Sequence, residues 1–185
     1  MMTFWRKGYV QTSLDDLVRE TGASRASLYK TFGDKKAMFA LALDSYASLF
    51  EARAAAAMAE LPDARAVLHA LLTASAERLG ADDGPPGCLR CNSTLEIGGV
   101  DPDLDAALLH ANTRYKEVVA AVLRRGVEEG SLRTSQVKAL ADFYTATVAG
   151  MVTTARAGAD LAALQHIVEI AMCAWPPGGR AALQR

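Results

Sequence analysis

The chain has 185 residues, 51% hydrophobic, 22% charged and 6% aromatic, and its 20 Lys and Arg against 21 Asp and Glu leave a formal charge of −1. That apolar fraction suffices for a buried core and excludes a disordered tail or charged linker; the balanced charge excludes a uniformly basic, histone-like binder, though not a local basic patch. Nothing approaches the roughly 20 continuous apolar residues of a membrane span. The start, Met1-Met2-Thr3-Phe4-Trp5-Arg6-Lys7, lacks the apolar core of a signal peptide. Three cysteines, an odd number, suit a reducing compartment better than a disulfide scaffold. A cytoplasmic protein with no membrane partner is expected.

The charge is uneven along the chain: residues 1–43 carry seven Lys and Arg against four acids, whereas residues 44–185 carry 13 against 17. A small basic head precedes a larger acidic body. Apolar residues recur at spacings of three and four, with no period-two run, so every element is predicted helical. Thr12-Ser13 can cap a short helix whose inner face carries Leu14, Leu17 and Val18. Gly22 ends it, and Ser24 caps a second short helix with Leu28 and Phe32 inward. Asp34 opens a long helix whose stripe runs through Met38, Phe39, Leu43, Tyr46 and Phe50 toward Pro62. A helix over about 63–79, with Val67, Leu68, Leu71 and Leu72 inward, stops at Gly80, and Ala81-Asp82-Asp83-Gly84-Pro85-Pro86 reads as a loop. A short helix from Gly87 to about Ile97 is followed by Asp101-Pro102, a cap with proline at the first helical position. The long helix opened there passes Leu104, Leu108, Ala111, Tyr115 and Val122 before Gly130. Thr134 or Ser135 opens another, and Asp160 opens the last, which Pro176-Pro177 stops. About eight helices are in view, as a head over 1–44 and a body over 45–185.

The stretch from Thr12 to Phe39 carries a function. Its grammar is a capped short helix, a glycine turn, a second capped short helix and then a third. A tight turn between helices needs a residue that accepts left-handed backbone, and glycine does so without strain. The small residues Ala23, Ser24, Ala26 and Ser27 let the second helix come close to a partner helix and to a groove floor. This is the pattern of a helix-turn-helix, whose second helix enters the major groove of DNA. Phe4 to Tyr9, Thr12-Ser13, Gly22-Ala23-Ser24, Leu28-Tyr29, Phe32 and Lys35 together resemble the DNA-binding head of the TetR family of bacterial transcriptional regulators. The likeness covers residues 4–50 closely and the rest more loosely.

The resemblance implies an all-α protein: a helix-turn-helix head and a helical domain for ligand binding and dimerisation. It implies a homodimer on a palindromic double-stranded DNA operator, repressing until a small-molecule effector releases it, and no cofactor. On this reading the Thr12 and Ser13 hydroxyls, at a helix N-terminus, face a phosphate. Ser24 caps the recognition helix, while Arg25, Ser27 and Lys30 project toward base edges or flanking phosphates. Tyr29 and Lys35 match positions that grip the DNA backbone, and Leu14, Leu17, Leu28 and Phe32 form the head's core. One departure stands out. Only Met1, Met2 and Thr3 precede Phe4, where the family has a whole first helix, so a segment missing upstream is expected to leave Leu17 and Phe32 poorly covered. Gly33-Asp34 also departs from the proline or small residue usual before the lysine.

In the body, segments 135–157 and 160–175 are the candidates for pairing with a second copy, with Ala149-Gly150, Thr153-Thr154 and Ala157-Gly158 allowing close approach. Asn92 and Arg114 are the expected ligand anchors, with Tyr115, Phe143, Tyr144, Met151 and Met58 lining a pocket, although each apolar one also suits ordinary core. Cys88-x-x-Cys91 lies in the first turn of a helix, where thiolates gain from the helix dipole, so a thiol redox switch or oxidoreductase is the rival reading. The alternative for the pair is plain packing, since Gly87-Cys88-Leu89 with Asn92 and Glu96 resembles a stretch common in one subgroup of the family. His69, His110 and His166 lie on different helices, and no metal site, phosphate loop or catalytic constellation is expected.

Overall fold

A computed structural model of the protein describes residues 1–81 and 84–176. Among the described residues there are nine helices and no strand: α1 Met2–Gln11, α2 Leu14–Thr21, α3 Arg25–Phe32, α4 Lys35–Glu60, α5 Ala64–Gly80, α6 Leu89–Ile97, α7 Pro102–Glu128, α8 Thr134–Arg156 and α9 Leu161–Met172.

Most of the helix starts follow from one local rule. A side-chain oxygen just before the first turn satisfies an amide that has no partner inside the helix. Ser13 accepts from the Asp16 amide at 3.1 Å, Ser24 from Ser27 at 3.2 Å and Asp34 from Ala37 at 2.9 Å. Asp63 accepts from Ala66 at 2.8 Å, Asp101 from Asp103 at 3.0 Å and Asp160 from Ala163 at 2.8 Å. The start of α8 differs from expectation. Neither Thr134 nor Ser135 caps it; the chain enters through Arg133, whose amide is taken by the Gln136 side chain at 2.9 Å. The expected loop around Asp82 and Asp83 and the stop at Pro177 lie in part outside the described residues.

The described residues group into two packing units that do not follow chain order. The first is Met1–Leu49 with Pro85–Thr113, and the second is Phe50–Gly84 with the residues from Arg114 onward. In the first unit Phe4, Trp5, Leu17, Leu28, Phe39 and Leu43 from the head close over Leu89, Ile97, Leu104, Leu108 and Ala111 from α6 and α7. Aromatic rings set the geometry there: Phe4 meets Phe39 edge-on at 5.2 Å, and Trp5 meets Tyr46 edge-on at 4.8 Å. In the second unit α5 packs on both α8 and α9, burying Val67, Leu68, Leu71 and Leu72 with Tyr144, Met151, Leu164 and Val168.

The two residues expected to be poorly covered in the head, Leu17 and Phe32, fare differently. Residues 2–11 form a helix, and it carries Phe4 and Trp5 into the core, so Leu17 is covered to 7% exposure. Phe32, expected to be poorly covered, is 45% exposed; it lines an apolar groove with Met1, Phe4, Leu17, Leu28 and Met38.

Candidate nucleic-acid interface

The site is built from α2, the turn at Gly22 and α3. Ser13 and Asp16 close a reciprocal cap on α2: the serine hydroxyl takes the Asp16 amide, and Asp16 Oδ2 takes the Ser13 amide at 3.0 Å. The same carboxylate holds Lys7 at 2.6 Å and Arg19. The Lys7 ammonium, with the Ser13 amide and hydroxyl behind it, keeps Asp16 far below the ordinary carboxylate value. Asp16 therefore ties α1 to α2. At Gly22 the chain turns left-handed, φ 69°, and the glycine amide bonds the Val18 carbonyl at 2.9 Å. Ser24 then opens α3.

Of the eight residues of α3, only Leu28 is buried, at 3% exposure. Arg25, Ser27, Tyr29, Lys30 and Thr31 all stand in solvent. A helix held by one apolar anchor, with hydroxyl, phenol and cationic groups over the rest of its surface, is shaped to be covered by a polar, anionic partner. Arg25 is bonded to Asp15, with Nε to Oδ1 at 3.1 Å. An exposed pair of this kind is worth about 0.2–1 kcal/mol, so a stronger partner can draw the guanidinium away. Lys35 lies 4.4 Å from the centre of the Tyr9 ring and donates to the Val10 carbonyl at 3.4 Å; burial lowers its pKa, only partly opposed by the Glu96 charge. Lys36, counted with the basic head, is bound to Asp101 and has its pKa raised by that bond first.

Thr12 requires correction. It is fully buried, and its hydroxyl donates to the Gly8 carbonyl at 2.6 Å, so it stabilises the link between α1 and α2 and does not face a phosphate. Sequence reading missed the partner that holds this link from the other side. The carboxylate of Glu96, on α6, takes the Tyr9 amide at 2.9 Å and the Val10 amide at 2.9 Å. Those two amides follow Gly8, whose backbone (φ 79°, ψ 174°) breaks α1. A Cβ at Gly8 would come to 2.6 Å from both Glu96 oxygens, so the glycine also makes room for the clamp.

The expected ligand residues do not gather at one described cavity. Asn92 belongs to the first unit and donates to the Pro86 carbonyl at 2.8 Å. The others belong to the second unit. Arg114 makes a forked pair with Glu51 at 2.7 and 2.6 Å, and Tyr115 stacks on Phe50 at 4.3 Å. Met151 is fully buried, and Phe143 is 43% exposed. Tyr144 is buried with its hydroxyl unpartnered, and burial pushes its pKa up to about 12. A cavity of about 950 Å³ in the second unit is lined by Arg65, His69, Glu169, Cys173 and Trp175, among others, and by none of the expected ligand residues, Met58 included. Tyr144 borders it electrostatically, since Arg65 and Cys173 both act on its phenol. Among the described residues no group of three His, Cys, Asp or Glu is placed to hold a metal, and no helix is long and apolar enough to cross a membrane.

The capped turn, the singly anchored α3 and the basic head define a helix-turn-helix regulator that binds DNA. The pattern of bacterial regulatory proteins of the tetR family matches residues 1–42, and that of the tetracyclin repressor-like C-terminal domain matches residues 64–171. The HTH-type transcriptional repressor ComR of Escherichia coli is 30% identical over 178 residues, spanning 95% of this chain and 85% of that protein. The HTH-type transcriptional regulator YezE of Bacillus subtilis is 29% identical over 91% of this chain and 88% of that protein. A cysteine mutant of the TetR family regulator CifR, solved with 26-base-pair operator DNA, is 28% identical with a TM-score of 0.81, covering 95% of this chain and 92% of that one. The chain belongs to the TetR family of bacterial transcriptional regulators.

Proposed function

We propose that the protein is a repressor that sits as a homodimer on a palindromic operator in the cytoplasm and leaves it when a small molecule binds the second unit. The observation that carries the DNA half is the exposure of every α3 residue except Leu28. Arg25, Ser27 and Lys30 would read base edges or neighbouring phosphates, with Ser13, Ser24, Tyr29 and Lys35 around them as backbone contacts. A single short helix binds weakly, and two heads spaced about 34 Å apart would read successive turns of one face of the duplex.

The partner in that dimer is a second copy. On α8 and α9, Phe143, Thr147, His166, Ile167 and Ile170 line an apolar groove of about 340 Å³, and Ile170 is 73% exposed. Ala149 and Gly150 on α8 would let a neighbouring helix approach closely. For the effector, the cavity beside Arg65, His69 and Trp175 falls within the range of about 300–1,000 Å³ usual for small-molecule sites. Helices α4 and α7 each contribute residues to both units, which supports coupling between them. The effector shifts the equilibrium only as far as its affinities for the two states differ.

Gel shifts test the reading, using the duplex upstream of the protein's own gene and a scrambled duplex of equal length. Specific binding with two protomers per site is expected, and its affinity should fall steeply with rising salt as phosphate contacts release counterions. Binding indifferent to both sequence and salt would sink it.

A further inference from the structure

Cys88 and Cys91 take no part in the reading above, yet they sit inside the unit that holds the helix-turn-helix. Cys88 is the residue before α6, and Cys91 is three residues on, which brings both side chains to one side of the first turn. They are 5% and 7% exposed, and their thiols lie within hydrogen-bonding reach of each other. The Tyr46 hydroxyl donates to Cys88 Sγ at 3.3 Å. The bond from Cys91 holds the Cys88 thiol well below its ordinary value; against burial, the Arg90 charge and the Tyr46 hydroxyl add to it. These contacts favour the Cys88 thiolate, the form of the side chain that acts as a nucleophile.

The surroundings connect the pair to the DNA-reading elements. The carbonyl of Gly87, next to Cys88, accepts the Trp5 indole N–H at 3.3 Å. Tyr46, which bonds Cys88, is the ring that Trp5 meets edge-on at 4.8 Å. Trp5 lies on α1, and α1 is held to α2 through Thr12, Lys7 and Asp16 and to the far end of α6 through Glu96. The first turn of α6 and the ring beside it thus support the helix on which the reading head rests.

We propose that Cys88 and Cys91 form a dithiol–disulfide switch, oxidised by hydroperoxides, that lowers the affinity of the head for DNA. The Cys88 thiolate attacks the outer oxygen of the peroxide and becomes a sulfenic acid, while the O–O bond breaks and the leaving oxygen departs as hydroxide or alkoxide. The Cys91 thiol, losing its proton, then attacks the Cys88 sulfur and expels water, leaving a disulfide. In sum two thiols and one hydroperoxide give one disulfide, one water and one water or alcohol. Closing the bond removes the Cys88 sulfur from the Tyr46 hydroxyl and draws in the first turn of α6, which loosens Trp5 and with it α1. This rests on the operator-binding reading for its consequence but not for its chemistry.

The full-length reduced protein is treated with hydrogen peroxide, free thiols are capped with iodoacetamide, and peptides are mapped by mass while the same samples are run in gel shifts on the bound duplex. The 88–91 peptide is expected to lose the mass of two hydrogens, and affinity should fall about tenfold, a usual size for coupling between two sites, and return with dithiothreitol. Cys88→Ser and Cys91→Ser proteins should bind DNA throughout, whereas Cys173→Ser should respond as the native chain does. The proposal is overturned if the pair stays dithiol at a dose that oxidises the exposed Cys173, or if the disulfide forms and affinity holds. If the reduced protein binds no duplex, that fails the operator reading instead. The switch is then judged by Trp5 fluorescence in the Trp175→Phe protein, which shifts on oxidation if the switch is real and stays fixed if it is not.

Discussion

Replacing Glu96 with alanine removes both acceptors that hold the amides of Tyr9 and Val10 after the break at Gly8. Bonds to a charged acceptor contribute about 1.5–3 kcal/mol when shielded. The Tyr9 bond is partly buried and the Val10 bond is exposed, so the first earns most of that range and the second well under 1 kcal/mol, giving about 2–3 kcal/mol together. With a urea dependence of about 2 kcal/mol per molar, the unfolding midpoint should drop by about 1 M at unchanged slope. Glu96→Gln keeps one acceptor oxygen and should lose about half as much. Hydrogen exchange adds a local check, because the amides of Tyr9 and Val10 should lose protection in the alanine protein while those of α5 keep theirs. Gly8→Ala attacks the same clamp from the other side: it forces φ 79° on an L residue and puts its Cβ 2.6 Å from the carboxylate. The double variant should therefore cost less than the sum of the two by at least about 0.5 kcal/mol. Strict additivity, or a Glu96→Ala midpoint equal to the native one, would refute the clamp.

Arg25→Ala should relax sequence preference, with about 1–3 kcal/mol of discrimination lost at one base position if the guanidinium reads guanine, whereas Lys35→Ala should weaken binding to all duplexes alike and reduce the salt slope by about one. A selection from random duplexes and a salt titration separate them. Ile170→Asp places a charge on the exposed groove of α8 and α9 and should give monomers by analytical ultracentrifugation while leaving the thermal transition near its native value. The carboxyl of Asp16 titrates below its unfolded-state value, so its contribution to stability is fully present above that value, about pH 4, and is lost as pH falls through the depressed folded value. Denaturation midpoints from pH 5 to 2 should thus fall less steeply for Asp16→Asn than for the native chain.

What the sequence reveals of this protein is what neighbouring residues decide. Ser13, Ser24, Asp34, Asp63, Asp101 and Asp160 could be read as helix starts because each bonds an amide two or three residues away. The exposure of Arg25, Ser27, Lys30 and Thr31 on α3 follows in the same way from the local spacing of polar positions around Leu28. Glu96 could not be placed, because its partners lie 87 and 86 residues upstream. Thr12 departs from expectation for a related reason: its hydroxyl turns back four residues to the carbonyl of Gly8, where the helix breaks. The surroundings of the expected ligand residues were equally out of reach of local reading, since Arg114 and Tyr115 are adjacent in sequence yet meet different partners, Glu51 and Phe50.

The oily interior beneath the reading helix is completed by Leu89, Ile97, Leu104, Leu108 and Ala111, contributed from the middle of the chain. The amino-terminal segment, residues 1–49, is therefore not a detachable cassette. Grafting it alone onto a relative would transplant half of a jigsaw, and a chimera meant to inherit its sequence preference must carry residues 85–113 across as well. Lineages exchanging such heads by recombination would face the same constraint: three crossovers, not one, for a swap that leaves residues 50–84 in place.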